Sequence, residues 1–257
     1  KKMKVIAHRG YSGQYPENTM LAYEKAVEAG CDELEIDVQM TRDGVLVILH
    51  DETVERTTDG KGFIKDLNYQ ELRKFNVNAR FGDQYGFNPI PSFEEYLDWV
   101  RKKNVTTNIE LKNRKYYYEG LEERTLELVQ AYGLEDRVMF SSFNHVSLLK
   151  CKQLAPDIEC GILVSKPEIW NAGYFASTYG LECYHPDVLS LTKATVDDCV
   201  KYGIKVNAWT INGMEELQKL YAWGCDGVIT NYPDICKAWL NLLHSRADPE
   251  GRKGQQQ

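Results

Sequence analysis

The sequence predicts an α/β protein with the architecture of a (β/α)8 TIM barrel. Eight short apolar runs alternate with longer amphipathic stretches along most of the chain. The length of 257 residues is close to the roughly 250 residues of a typical barrel of this kind. An open, doubly wound sheet is the structural alternative, but the number of strands and the chain length favour the closed barrel.

The predicted strands are short runs rich in apolar and β-branched residues, bounded by polar or turn-forming residues. They cover 4–8, 33–38, 106–112, 138–142, 158–164, 181–184, 205–210 and 227–231.

The predicted helices lie between these strands and have recognisable ends. The first, 19–29, stops before Gly30, a typical C-terminal capping residue. The helix at 92–103 begins with Ser92 followed by two glutamates, which is a typical N-terminus. The remaining helices are predicted at 120–132, 146–154, 167–175, 194–202, 214–223 and 234–243.

One segment interrupts this alternation. Residues 43–91 lie between the second strand and its helix, contain many glycines and prolines, and show little helical pattern. Such a segment is too long for an ordinary βα loop, and long loops on this face of a barrel are usually functional. We expect residues 1–244 to form a single catalytic domain and residues 245–257 to be a disordered polar tail.

The composition excludes several classes of partner. With 43% hydrophobic and 27% charged residues the chain is typical of a globular protein, and its net charge is -7. This charge argues against nucleic acid or an anionic membrane surface as the main partner, but a local cation can still bind a small anionic substrate. No run is long enough for stable membrane insertion, and the oligomeric state is left open.

The seven cysteines indicate the compartment. Their number is odd and they form no C-x-x-C pair, so we interpret them as buried thiols in a reducing environment. The expected location is cytoplasmic, and a secreted chain whose signal peptide has been removed is the alternative.

Polar residues alternate with apolar residues in two of the predicted strands. Glu35 and Asp37 share one face of the second strand, and Glu110 and Lys112 share one face of the third. The apolar residues must face the helices, so these polar side chains should point to the barrel axis. Three buried carboxylates would be costly without a compensating charge, and oxygen ligands favour Mg²⁺ or Ca²⁺. The alternative is a structural ion network that Lys112 and Arg9 complete.

A hairpin signal follows the second strand. Asp43-Gly44 favours a two-residue turn, which would place Asp37 opposite His50. His8 and Arg9 end the first strand at the same mouth of the barrel. Two histidines can act as general acid and base, while a divalent cation and basic side chains suit a phosphate. The predicted chemistry is metal-assisted cleavage of a phosphodiester.

These residues belong to a spaced series of motifs that spans residues 4 to about 240. In this chain the motifs read His8-Arg9-Gly10, Pro16-Glu17-Asn18-Thr19, Glu35-x-Asp37-Val38-Gln39, Asp43-Gly44, His50-Asp51, Arg56-Thr57-Thr58, Glu110-Leu111-Lys112 and Trp209-Thr210. Together they resemble the glycerophosphodiester phosphodiesterases, and many spaced matches are far more specific than one motif.

The resemblance implies a TIM barrel with an insertion at about 51–88 and one divalent cation held by Glu35, Asp37 and Glu110. It also implies that His8 and His50 are the acid–base pair, and that Arg9 and Lys112 bind the phosphate. Trp209 would line the glycerol pocket, and Glu17 would support the loop that carries His8 and Arg9. The implied reaction releases glycerol 3-phosphate and an alcohol from a small glycerophosphodiester.

Two other functions are compatible with the same barrel. One is a phospholipase-like lyase that releases a cyclic phosphate, and the other is a catalytically silent ligand-binding barrel. The sequence leaves open which histidine is the acid, which alcohol is released, and whether water or a substrate hydroxyl is the nucleophile.

Overall fold

The predicted barrel is confirmed by a computed structural model that describes residues 2–247. Eight parallel strands close into a barrel because the first strand pairs with both the second and the last, and a ninth, short strand pairs antiparallel with the second. The strands are β1 Lys4–His8, β2 Glu33–Met40, β3 Leu46–Ile48, β4 Thr106–Leu111, β5 Val138–Ser142, β6 Cys160–Val164, β7 Cys183–Pro186, β8 Lys205–Trp209 and β9 Gly227–Thr230.

Helices follow the barrel strands and cover their outer surface. They are α1 Met20–Glu28, α2 Tyr69–Leu72, α3 Phe93–Val100, α4 Leu121–Ala131, α5 His145–Leu154, α6 Ala172–Thr178, α7 Lys193–Lys201, α8 Met214–Trp223 and α9 Pro233–Ala247. Helix α6 starts five residues later than the sequence pattern predicts. The segment before it caps the next helix instead, where the Glu168 carboxylate accepts hydrogen bonds from the Thr192 backbone and hydroxyl at 3.0 and 2.8 Å.

The main core lies between the barrel and the helices, as the alternation of side chains predicts. Leu34 and Ile36 of β2 and Ile109 of β4 are fully buried in it. Glu35 and Glu110, which alternate with these apolar residues along their strands, are also buried. Their side chains therefore point into the barrel.

The hairpin after β2 differs by one residue from the predicted register. Val38 pairs with Ile48, and the Thr41 N–H donates to the Val45 carbonyl at 3.0 Å, so the loop has three residues rather than two. Its last residue, Gly44, is left-handed with φ of 78°. The Leu49 N–H donates to the Asp37 carbonyl at 3.0 Å. The prediction that His50 lies directly opposite Asp37 is therefore wrong, because Leu49 occupies that position.

The segment between β3 and α3 has a small hydrophobic core of its own. That core packs against the outer end of the hairpin and includes Val47, Leu49, Val54, Ile64, Leu72, Val77 and Ile90. At the other end of the chain α9 runs to Ala247, three residues into the predicted tail, and residues 248–257 lie outside the described part. Among the described helices, none combines the length and apolar character that crossing a bilayer requires.

Candidate active site

Three carboxylates meet inside the carboxyl-terminal end of the barrel. Glu35 and Asp37 come from β2 and Glu110 from β4, whose pairing sets Asp37 beside Glu110. One oxygen from each carboxylate lies within 4.8 Å of the others, and all three residues are buried. Strand register therefore brings together the three residues that the sequence singles out.

Burial and the neighbouring charges shift the pKa values of all three carboxyl groups. Burial, followed by repulsion from Asp37 and Glu110, raises the pKa of Glu35 well above its usual value. Burial also raises the pKa of Glu110, with Asp37 adding to the effect and Lys112 opposing it. For Asp37 the effect of burial is outweighed by His50, Lys112 and Arg9, which hold its pKa below the ordinary value.

The donor set fits a hard divalent cation. Asp37 Oδ1 is fully buried and accepts no hydrogen bond within the described residues, which is unusual for a carboxylate oxygen. Three convergent oxygen donors match the preferences of Mg²⁺ and Ca²⁺ rather than those of zinc.

Two basic side chains, those of Arg9 and Lys112, lie beside the Asp37 carboxylate, one near each of its oxygens. Arg9 Nε lies 3.4 Å from Asp37 Oδ2, and Lys112 Nζ lies 3.8 Å from Asp37 Oδ1 and 3.0 Å from Glu110 Oε1. Both basic side chains are largely buried, so water screens them only weakly. The positive charges of both side chains therefore lie directly beside the carboxylate cluster.

The backbone conformation of the loop after β1 places Arg9 beside the carboxylate cluster. Arg9 and Asn18 both have left-handed backbones, with φ of 56° and 55°, a conformation that costs non-glycine residues roughly 1–3 kcal/mol. Hydrogen bonds compensate: the Arg9 N–H donates to Glu35 Oε2 at 2.9 Å, and the Asn18 N–H donates to the Arg9 carbonyl at 2.9 Å. A Cβ on Gly10 would lie 2.7 Å from the Ala22 backbone, so this loop needs a glycine there.

His8 presents its Nε2 to the cavity. Its Nδ1 lies 2.7 Å from Asn231 Oδ1, and because that oxygen can only accept, Nδ1 carries the hydrogen. Burial, followed by the nearby charge of Arg9, lowers the pKa of His8 to about 3. His8 is therefore neutral near pH 7, with a free lone pair on Nε2.

His50 reaches the same cavity by a different route from the predicted hairpin pairing. The Gln39 amide donates to the carbonyls of Leu49 and Asp51, at 2.6 and 2.8 Å, and so fixes the loop that carries His50. Tyr118 in turn donates to Gln39 Oε1 at 3.0 Å.

The partner of His50 is a carboxylate rather than an amide. Its Nδ1 lies 2.6 Å from Asp51 Oδ1. Burial would raise the pKa of Asp51, but hydrogen bonds from His50 and Arg56 outweigh it and hold the pKa below the ordinary value. Asp51 therefore accepts the Nδ1–H of His50 as a carboxylate and fixes the orientation of the ring.

Arg56 connects the two loops of the site. Its guanidinium donates to both oxygens of Asp51, at 2.6 and 3.1 Å, and to both oxygens of Glu17, at 2.8 and 2.9 Å. Glu17 also accepts from Arg9 Nη1 at 2.9 Å. Positive and negative side chains therefore alternate from Arg9 through Glu17 and Arg56 to Asp51, which in turn holds His50.

The cavity itself combines these polar groups with an apolar wall. It has an open volume of about 450 Å³. His8, Arg9, Glu35, His50 and Glu110 line one side, and Phe143, Leu163, Trp209 and Ile229 line the other. Trp209 packs edge-on against Phe143 with a centroid distance of 5.8 Å, and its Nε1 donates to the His185 carbonyl at 2.8 Å.

Sequence reasoning assigned no role to several residues that the structure places at the site. Asn18 donates to Asp37 Oδ2 at 2.8 Å, Asn231 orients His8, and Asp51 and Arg56 orient His50. All four residues stand inside motifs that carry the family resemblance, Asn231 in the stretch from Asp226 to Asn231, which was the available signal. Asn231 lies at the opposite end of the chain from His8, so no local spacing connects the two.

Comparisons with known proteins agree with this architecture. The profile of the Glycerophosphoryl diester phosphodiesterase family matches residues 8–235. The chain is 43% identical to the uncharacterized protein YqiK of Bacillus subtilis (strain 168), covering 92% of this chain and 98% of the relative. It is 39% identical to a glycerophosphodiester phosphodiesterase of Caldanaerobacter subterraneus subsp. tengcongensis, covering 94% and 98%.

A solved structure shares both fold and sequence. The Oleispira antarctica phosphodiesterase OLEI02445, in complex with the product sn-glycerol-3-phosphate, superposes with a TM-score of 0.82 at 34% identity, covering 93% of this chain and 96% of that one.

Proposed function

The chain belongs to the glycerophosphoryl diester phosphodiesterase family, and we propose that it hydrolyses glycerophosphodiesters to glycerol 3-phosphate and an alcohol with one divalent cation, Mg²⁺ or Ca²⁺. The observation that carries this proposal is the convergence of three buried carboxylates with two histidines at a single cavity. The product complex of the Oleispira relative supports the assignment of glycerol 3-phosphate as a product.

Glu35, Asp37 and Glu110 would hold the cation. When bound, the cation would withdraw charge from a phosphoryl oxygen and so favour attack at phosphorus. Arg9 and Lys112 bind the remaining phosphoryl oxygens from opposite sides of Asp37, where their positive charge opposes the negative charge that develops during the reaction.

The different partners of the two histidines support different roles. His8 is neutral and holds a lone pair on Nε2, so it takes a proton from the nucleophile. If the nucleophile is water, the step gives glycerol 3-phosphate directly; if it is the adjacent glycerol hydroxyl, a water molecule then opens the cyclic phosphate that forms. His50 Nδ1 is held by the Asp51 carboxylate, which orients the ring so that it donates a proton to the departing alkoxide as the bond from phosphorus to the alcohol oxygen breaks. Exchange with solvent then returns both imidazoles to their starting states.

The aromatic wall positions the substrate. Trp209 and Phe143 form the apolar side of the cavity, against which the carbon atoms of glycerol can pack. We further propose that the insertion at about 51–88 belongs to the same catalytic domain, because its Arg56 orients both Glu17 and Asp51. The seven free, buried thiols support a cytoplasmic location.

The test is release of glycerol 3-phosphate from a panel of glycerophosphodiesters, with each cation supplied separately to metal-stripped enzyme. His8→Ala and His50→Ala should each lower kcat by about 100-fold or more with natural alcohols. With a p-nitrophenyl ester, whose leaving group needs little protonation, His50→Ala should retain most activity while His8→Ala should not.

Near-normal turnover in either variant would remove that histidine from the mechanism. Phosphorus NMR of the first product tests the alternatives: a persistent cyclic phosphate would replace hydrolysis by a lyase reaction. Absence of turnover with every diester and both cations would instead indicate a binding protein.

A further inference from the structure

Two side cavities open from the active site where the released alcohol can lie. The first, of about 550 Å³, is lined by residues that include His50, Arg114, Lys115 and Phe143. The second, of about 480 Å³, is lined by residues that include Arg114, Phe143 and Lys166. Phe143 lines the main cavity as well, so both side cavities border it, the second as a shallow depression open to solvent.

Arg114 is the basic residue that both side cavities share. It makes no hydrogen bond or ion pair with any residue that the structure describes, and its guanidinium carbon lies 5.5 Å from the centroid of the Phe143 ring. Lys115, by contrast, is paired with Glu52 at 3.1 Å. The charge of Arg114 is therefore available to a ligand.

The two histidines indicate which part of the substrate reaches these cavities. His50 lines both the main cavity and the first side cavity, whereas His8 lines only the main one among the cavities described. If His50 protonates the departing alkoxide, the alcohol must lie on the His50 side and extend past Arg114.

We propose that Arg114 selects glycerophosphodiesters whose alcohol carries a negative charge, such as a carboxylate or a further phosphate, over those whose alcohol is cationic. This inference rests on the proposed function. A quaternary ammonium group beside an unpaired guanidinium is repelled, whereas an anionic group can accept its paired N–H donors. The selectivity is local, because the chain as a whole has a net charge of -7.

Three synthetic substrates isolate the charge of the alcohol. The glycerophosphodiesters of choline, 3,3-dimethylbutanol and isethionate share a two-carbon linker and a compact tetrahedral end group, and they are cationic, neutral and anionic. Each substrate is measured as kcat/KM in wild type and in the variants Arg114→Ala, Arg114→Glu and Arg114→Lys. Comparing variants on one substrate cancels the intrinsic leaving ability of its alcohol.

Arg114→Ala should lower kcat/KM for the isethionate ester by about tenfold, raise it for the choline ester by about threefold, and change it by less than about twofold for the neutral ester. Arg114→Glu should reverse the preference, and Arg114→Lys should keep most of it. In about 1 M salt, where the Debye length is about 3 Å, the wild-type preference should shrink. The matched control is Arg124→Ala, which removes an exposed arginine of α4 that lines neither side cavity.

Equal changes for all three esters, or an unchanged ratio in both Arg114→Ala and Arg114→Glu, would overturn the inference while leaving the hydrolysis intact. Failure of wild type to cleave these three esters and every other diester of the panel, with either cation, would instead refute the proposed function. The two failures are therefore distinguishable in one data set.

Discussion

Replacing Glu35 by glutamine should stabilise the metal-free protein and abolish its response to a divalent cation. Two carboxylates within 4.8 Å repel by about 3 kcal/mol at an effective dielectric constant of about 20. Part of this repulsion is already relieved by Arg9, by Lys112 and by proton uptake on Glu35, whose pKa is raised. We therefore expect Glu35→Gln to raise the free energy of unfolding of the metal-free protein by about 1–3 kcal/mol.

The wild type should behave in the opposite way. A cation at 100 times its Kd adds about 2.7 kcal/mol to the free energy of unfolding. For a chain of this size that corresponds to a rise in Tm of about 5–10 °C. Scanning calorimetry of protein dialysed against chelator, with Mg²⁺ or Ca²⁺ titrated back, measures both effects, and in Glu35→Gln the cation should shift Tm by less than about 2 °C.

Glu33→Gln is the matched control, because Glu33 lies two residues earlier on the same face of β2. One oxygen of its carboxylate, Oε2, already has two partners, Lys4 Nζ at 3.2 Å and Thr106 Oγ1 at 2.7 Å. This variant should therefore lose stability in the absence of metal and keep the full response to cation. A destabilised Glu35→Gln with a wild-type rise in Tm would refute the assignment of the carboxylates as a cation site.

Three further outcomes follow from the described contacts. Arg56→Ala should lower kcat about tenfold, because Asp51 and Glu17 lose the side chain that holds them. Millimolar guanidinium, but not urea, should restore part of the lost kcat. If guanidinium restores none of it, Arg56 does not act by orienting these carboxylates. Thr19→Ala removes the hydroxyl that accepts from the Ala22 N–H at 3.1 Å, and should cost about 1 kcal/mol in chemical denaturation with kcat unchanged. All seven thiols are buried, and burial raises the pKa of each. The native protein at pH 8 should therefore resist alkylation by iodoacetamide, whereas the protein in denaturant should be alkylated completely. Rapid labelling of the native protein would contradict this expectation.

The convergence of the carboxylates could be predicted from the sequence because it depends only on strand parity. A period of two assigns Glu35, Asp37 and Glu110 to the inner face of a barrel as soon as Leu34, Ile36 and Ile109 are assigned to the helix side. The neighbouring positions of β2 and β4 then follow from the way parallel strands pair. No long-range detail is needed for that part of the site.

The pairing register of the hairpin could not be predicted, because Asp43-Gly44 is compatible both with a two-residue turn and with a three-residue loop. A left-handed glycine can be the second residue of a two-residue turn or the last residue of a three-residue loop. Thr41 favours the longer loop: its hydroxyl donates to Asp43 Oδ1 at 2.6 Å and accepts from the Val45 N–H at 3.0 Å. The dipeptide alone does not contain that information, and a slip of one residue moves His50 from the ladder into the following loop.

The hydrogen-bond partners of the two histidines could not be predicted from the sequence, although they distinguish the proposed roles of the two rings. Both imidazoles line one cavity, but burial and the nearby charge of Arg9 keep His8 neutral. The groups that hold the two rings differ: an amide oxygen accepts from His8 Nδ1, whereas the carboxylate of Asp51 accepts from His50 Nδ1. Asp51→Asn keeps an acceptor for His50 Nδ1 but removes its charge, so it should slow hydrolysis of natural diesters far more than that of a p-nitrophenyl ester. Equal losses on both substrates would show that Asp51 only holds the ring in place.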